Sequence, residues 1–420
     1  MDRKVKLFMN TQPISFLPVH GRFWRALRVF AFIFSFASFS AAAQSTVKNG
    51  EYLATAGDCV SCHTAPGGQP FAGGLKMKTP FGYLLSPNIT PDVATGIGSW
   101  SKDDFFRALH DGVNKKGQDL YPAMPFTSYT KVSREDIDAI YDYLKTVKPV
   151  NNAVKVNQLD FPFNIRSSML VWRELFFTRG FFKPDQKQSD AWNRGAYLVE
   201  GLEHCSACHS PRNIMGAIKP SKEYTGAVID GWYALNLTSE PITGLGSWSA
   251  QDIASYLKTG KNPGKTTALG PMEEVVHNST RHLTDADLMA MATYLKSLPA
   301  NSSLVAESRK IDTNKAEGTR LYVDNCSGCH QSSGRGIKDV IPPLDGNPVI
   351  IAPDGANIIK VMIRGVNSRN GYIPMPAFAS RLTDDEIATI ANYVRTSWGN
   401  SASANVTAAQ VKKVRASPGL

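Results

Sequence analysis

The sequence predicts a mainly α-helical protein made of three tandem copies of one unit, and three recurrences carry that prediction. A segment with helical apolar spacing occurs at Ser133–Thr146, Thr284–Ser297 and Thr383–Thr396, each opening on Ser or Thr with an acid three residues later. A Cys-x-x-Cys-His motif precedes each one, at Cys59–His63, Cys205–His209 and Cys326–His330, and together the motifs use all six cysteines. A Gly/Tyr pair opens each copy: Gly50 with Tyr52, Gly195 with Tyr197, and Gly318 with Tyr322.

Taken in order, residues 1–43 read as a secretory signal. Arg22, Arg25 and Arg28 precede a twelve-residue apolar run, Val29–Ser40, and Ala41–Ala43 offers a small-residue cleavage site. The run is too short to cross a bilayer, which takes roughly 20 residues. Removing residues 1–43 leaves 40 basic against 35 acidic residues, so the full chain's net charge of +10 falls to +5 and is a weak clue to function; no nucleic-acid partner is expected. The 42% hydrophobic and 20% charged composition, with 33 Gly and 25 Pro, excludes collagen, coiled coil and wholesale disorder.

Residues 44–150 form the first unit, 151–188 a linker, 189–299 the second unit, 300–400 the third and 401–420 a tail expected to run along the surface. The first two units share a further block, Asn88–Asn114 against Asn236–Asn262, in which GIGSWS matches GLGSWS ahead of a second helix. The third lacks it. Each unit exceeds 80 residues and can bury its own small core without solenoid stacking. Within the linker, Phe161–Phe182 is rich in aromatic and basic residues, suited to packing between units, to docking a partner or to lying at a membrane surface.

The cysteine motifs point to covalent heme. Two cysteines three apart lie on one side of a helical turn, where both thiols can bond one heme, and the adjoining His63, His209 or His330 supplies an iron ligand. A redox dithiol needs a thioredoxin-like setting, and a zinc site needs four ligands that three such pairs cannot share evenly. The expected cofactor is three heme c groups on Cys59, Cys62, His63, Cys205, Cys208, His209, Cys326, Cys329 and His330. Opposite them, Met124, Met272 and Met375 sit in Pro-flanked positions shortly before each closing helix and are the expected sixth ligands. His110, His204, His277 and His282 offer bis-histidine ligation in the first two units, with His277 the competitor of Met272. The third unit has no histidine but His330, and Met362 is its other thioether. Arg212 suits either a heme propionate or solvent. A thioether favours Fe(II) and fills the sixth position, which describes an electron carrier.

The order of Gly/aromatic helix, Cys-x-x-Cys-His, Pro-flanked Met and closing helix with Tyr143, Tyr294 or Tyr393 resembles class I cytochrome c domains. The stretches GEYLATAGDCVSCHTAPGG, PNITPD, GIGSWS, FPFNIR, RGAYLVEGLEHCSACHSPRN and IPMPAF resemble the triheme cytochrome c subunits of bacterial membrane-bound dehydrogenases, those of gluconate 2-dehydrogenase and quinone-dependent alcohol dehydrogenase. The resemblance implies an electron-transfer subunit with no catalytic residue of its own. It also implies an FAD- or PQQ-containing large subunit, a small third subunit, ubiquinone as acceptor, and a place at the membrane surface on the periplasmic side. A self-contained exported triheme carrier and a heme enzyme such as a peroxidase are the alternatives. The short polar tail departs from the longer amphipathic C-terminus of alcohol dehydrogenase cytochrome subunits.

Overall fold

The computed structural model describes residues 44–417 apart from 156, 263, 302–309, 354 and 368, so the expected signal segment lies outside the described residues. Each unit is built on a crossing between its opening and closing helices. The opening helices cover residues 44–56, Asp190–Tyr197 and Lys315–Asn325, and the closing ones Arg134–Leu144, Asp285–Ser297 and Asp384–Thr396. Glycine makes the crossing possible. A Cβ on Gly50 would strike the Ala139 carbonyl, one on Gly195 the Ala290 carbonyl, and one on Gly318 the Tyr393 side chain. The backbones approach that closely only where no side chain intervenes.

The closing helices start where their caps predict. Ser133, Thr284 and Thr383 accept from the backbone N–H of Asp136, Asp287 and Glu386. Only the third completes the reciprocal box within its own helix, Glu386 accepting from Thr383 N at 2.8 Å. In the first two units a tyrosine from the other unit takes that place. Tyr197 Oη donates to Asp136 at 2.5 Å and accepts from Ser133 N at 3.1 Å. Tyr52 Oη does the same with Asp287 at 2.6 Å and Thr284 N at 3.2 Å. The exchange is reciprocal, so units one and two pair about a pseudo-twofold axis. Tyr322 stands four residues after its glycine instead of two; it donates to Gln331 O within its own unit.

Packing follows the same division. One continuous core joins Leu53, Ile137 and Ile140 of unit one to Leu198, Leu288 and Met291 of unit two, while Tyr322, Ile387 and Ile390 belong to a separate core in unit three. The independent cores expected for units one and two are therefore one. Unit three docks onto unit two through its helix Ala356–Arg364, where buried Asn357 pairs with both backbone groups of Tyr233, at 2.8 and 2.9 Å. Lys360 Nζ donates to Asp230 O at 2.7 Å beside it.

Short antiparallel hairpins, Lys76–Thr79 with Gly82–Leu85 and Ala227–Ile229 with Trp232–Ala234, interrupt the helical pattern in the first two units. The linker helix Ser168–Phe176 buries Met169 and Trp172 against Phe126 of unit one, and Trp172 Nε1 donates to Met215 O of unit two at 2.9 Å. Its Leu170, Val171 and Leu175 remain exposed. The expected surface tail instead folds back: helix Ala408–Ala416 buries Val411, and Arg415 pairs with Asp384 at 2.7 Å.

Candidate functional site

Each Cys-x-x-Cys-His motif occupies a single helical turn whose histidine carbonyl is held by a glycine N–H. His63 O accepts from Gly73 N at 2.7 Å, His209 O from Gly226 N at 2.8 Å and His330 O from Gly336 N at 3.1 Å. All three glycines have positive φ, 71°, 89° and 63°, and a Cβ at any of them would collide with its neighbours. The rings are fixed by carbonyls of the loop beyond: His63 Nδ1 lies 2.8 Å from Pro87 O and His209 Nδ1 2.6 Å from Leu235 O. In the third unit burial lowers the pKa of His330, and the Pro342 carbonyl opposes that lowering only in part. His330 Nδ1 is buried without a hydrogen-bond partner among the described residues.

A carbonyl can only accept, so Nδ1 of His63 and of His209 carries the proton and Nε2 keeps a free lone pair. Burial lowers the pKa of all three histidines and favours the neutral ring that metal ligation requires. The thiols move the opposite way from those of a reactive dithiol. Burial pushes Cys59 up to about 12 and Cys62 and Cys326 to about 11, and raises Cys205 and Cys208. Neutral thiols beside an oriented, neutral imidazole fit thioether attachment and histidine ligation of heme. Among the described residues no group of three or more His, Cys, Asp or Glu could hold a metal ion by itself.

The methionines share the cores of their motifs. Met124 and Met272 pack on the same core as Cys59 and Cys205, and Met375 on that of Cys326. Met124 sits in a tight turn, its N–H bonded to Tyr121 O at 3.1 Å and its carbonyl to Phe126 N at 2.8 Å. Met272 lies in the first turn of helix Pro271–Asn278. Met375 exchanges both backbone hydrogen bonds with Val366 at 2.9 Å. Five residues separate Met272 from His277, about 140° around a helix, so the two cannot face one iron together.

His277 points elsewhere: its Nδ1 is 2.9 Å from Arg281. His282 Nε2 bonds to His277 O. His110 is stacked against Phe106 and beside Phe181, with Nδ1 on Asp111, and His204 Nδ1 bonds to Leu202 O. Met362 is buried in the unit-three core. Arg212 braces its own turn, donating to Ala207 O and Gly216 O, both at 2.8 Å.

The attachment turns of units one and two face each other. Asn278 Nδ2 donates to Ser61 Oγ at 2.8 Å, and the Tyr129 and His204 rings lie 5.5 Å apart. Two carboxyls sit in this contact, Glu203 buried and Asp58 half-buried. Burial raises Asp58 to about 7 despite the Ser61 hydroxyl that donates to it, and burial, with Asp58 adding, holds Glu203 well above the usual range.

The histidine-fixing glycines and carbonyls escaped the sequence reading because their distance from the motif changes from unit to unit. Asn88 and Asn236 were the available signal. Each follows the accepting carbonyl directly and caps its own turn, taking Thr90 N at 2.9 Å and Thr238 N at 2.8 Å.

Comparison with known proteins agrees with this geometry. A family model described as Cytochrome c matches residues 47–148, 193–299 and 315–398. The chain is 42% identical to the gluconate 2-dehydrogenase cytochrome c subunit of Pantoea cypripedii over 88% of this chain and 89% of that one. It is 40% identical to the fructose dehydrogenase cytochrome subunit of Gluconobacter japonicus, covering 90% and 84%. It is 37% identical to the cytochrome c subunit of alcohol dehydrogenase (quinone) from Gluconobacter oxydans, covering 93% and 86%.

Proposed function

The chain belongs to the cytochrome c family, with three copies of the family's domain in tandem, and from that premise we propose that it is the electron-transfer subunit of a quinone-linked dehydrogenase complex. The single observation that supports this most is the threefold recurrence of a Cys-x-x-Cys-His turn whose histidine carbonyl is held by a glycine of positive φ. Heme c supplies one-electron storage at each site.

The residues of the chain do the rest. Cys59, Cys62, Cys205, Cys208, Cys326 and Cys329 hold the porphyrins covalently. His63, His209 and His330 would offer an imidazole nitrogen to each heme iron, and Met124, Met272 and Met375 would offer a soft sulfur. The carbonyls of Pro87 and Leu235 keep the Nδ1 proton in place. The shared core of units one and two sets their attachment turns against each other, which favours transfer within the chain over diffusion. None of these groups is a catalytic acid, base or nucleophile, so substrate oxidation belongs to a larger FAD- or PQQ-containing subunit. Ubiquinone is the acceptor, a small third subunit completes the complex, and the assembly works on the periplasmic face of the cytoplasmic membrane after signal cleavage. No helix among the described residues is long and apolar enough to cross a membrane, which suits attachment at the surface.

Purification of the tagged chain from native membranes tests this. The expected result is a larger flavoprotein or quinoprotein in equal amount, whose substrate reduces the hemes and whose electrons reach added ubiquinone. A chain that purifies alone, with hemes that no accompanying dehydrogenase reduces, contradicts it.

A further inference from the structure

A cavity of about 440 Å³ lies where unit three meets unit two. Four cations line it: Lys258 and Lys261 from the end of helix Ala250–Thr259 and the strand after it, Arg281 from the turn after helix Pro271–Asn278, and Arg369 from the Val366–Met375 loop. Thr259 and Asn370 also line it, their donors already given to Ser255 O and to Thr267 Oγ1 and Ala268 O, and no carboxylate is part of the lining. None of the three Cys-x-x-Cys-His motifs contributes to its walls, so the cavity is separate from the heme-attachment turns.

The charges are poorly compensated. Lys258 has Asp285 at 3.2 Å. Lys261 lies 4.6 Å from the Tyr372 ring centre, a weak partner, and among the described residues Arg281 pairs with the ring nitrogen of His277. Among the described residues, Lys261, Arg281 and Arg369 form no ion pair with a carboxylate. Glu273 reaches this loop, but it accepts from the backbone N–H of Arg369 at 2.6 Å. The unbalanced field registers on His277, whose pKa is lowered by burial and then by Arg281 and Arg369.

Like charges gathered around a concavity repel one another and raise the local concentration of anions. Two guanidinium forks and two ammonium groups match a tetrahedral oxyanion of more than one charge better than a single carboxylate. The volume is within the ~300–1,000 Å³ range of small-molecule sites. We propose that this junction is a binding site for a phosphate group, either free phosphate or the headgroup of an anionic phospholipid. Bound there, the phosphate ties unit three to unit two by bridging Arg369 to Lys261 and Arg281.

The three-heme protein is titrated calorimetrically with inorganic phosphate at constant ionic strength, and sedimented with vesicles of phosphatidylglycerol or of phosphatidylcholine. The double variant Lys261→Ser/Arg369→Ser should weaken binding at least about tenfold. Lys261→Gln alone should fall between it and the unsubstituted protein, and Lys412→Ser, an exposed lysine on the C-terminal helix, should bind normally. Unchanged heme spectra and unfolding midpoints establish that the variants fold. Saturable phosphate binding without vesicle binding identifies free phosphate as the ligand. Sedimentation with phosphatidylglycerol alone, lost in the double variant, identifies the lipid headgroup. If neither probe shows binding that the double variant loses, the proposal is overturned.

Discussion

Sulfur at the sixth position is the residue-scale choice on which the redox behaviour depends. Replacing Met124, Met272 or Met375 by Ala should leave three hemes attached and lower the potential of one, a substantial part of the ~0.8 V range that axial ligands control. Redox titration of each variant checks this, and an unchanged potential identifies the wrong residue. Asp58 carries a second prediction. Its folded pKa of about 7 lies above the ordinary 3.8, so the folded state binds this proton more tightly than the unfolded one. The resulting stabilisation is complete below pH 3.8 and is lost as pH rises toward 7. At about 1.4 kcal/mol per unit the loss amounts to a few kcal/mol. Asp58 has φ 47°, a left-handed conformation that Asn tolerates. Denaturation of Asp58→Asn should therefore show a gain of a few kcal/mol at pH 8 that vanishes near pH 4; an equal gain at both would show that ionisation is not the cause.

At the scale of elements, the closing helices were legible because a cap and an apolar stripe are local features. Ser133, Thr284 and Thr383 all cap where the pattern places them. What the pattern could not reveal is which group completes the cap. Tyr197 lies 61 residues from Asp136 and Tyr52 lies 235 from Asp287, and no periodicity links such pairs. Tyr52→Phe or Tyr197→Phe removes a hydrogen bond to a carboxylate and leaves a helix N–H without its partner, so each should cost about 1–3 kcal/mol. The loss should appear in the joint unfolding of units one and two and leave unit three unchanged. Equal destabilisation of all three would argue against the cross-unit cap.

Across the whole molecule, the Cys-x-x-Cys-His turns, the helical class and the threefold repeat could be read directly, since the chemistry of attachment is confined to five consecutive residues. The unequal partnership of the units could not. It depends on tertiary contacts such as Asn357 with Tyr233, 124 residues apart, and on a tail whose polar composition conceals the buried Val411. The histidine-fixing carbonyls were hidden for the same reason, standing 24 and 26 residues from their rings in units one and two. Every functional statement about the assembled protein presupposes that each unit holds its porphyrin through two thioethers and a histidine. The intact mass of the exported, matured chain, taken together with a reductive titration, tests this most directly. Three covalent hemes require a mass exceeding the processed polypeptide by three hemes and the uptake of three electrons; the mass of the polypeptide alone, or of fewer than three hemes, would rule them out.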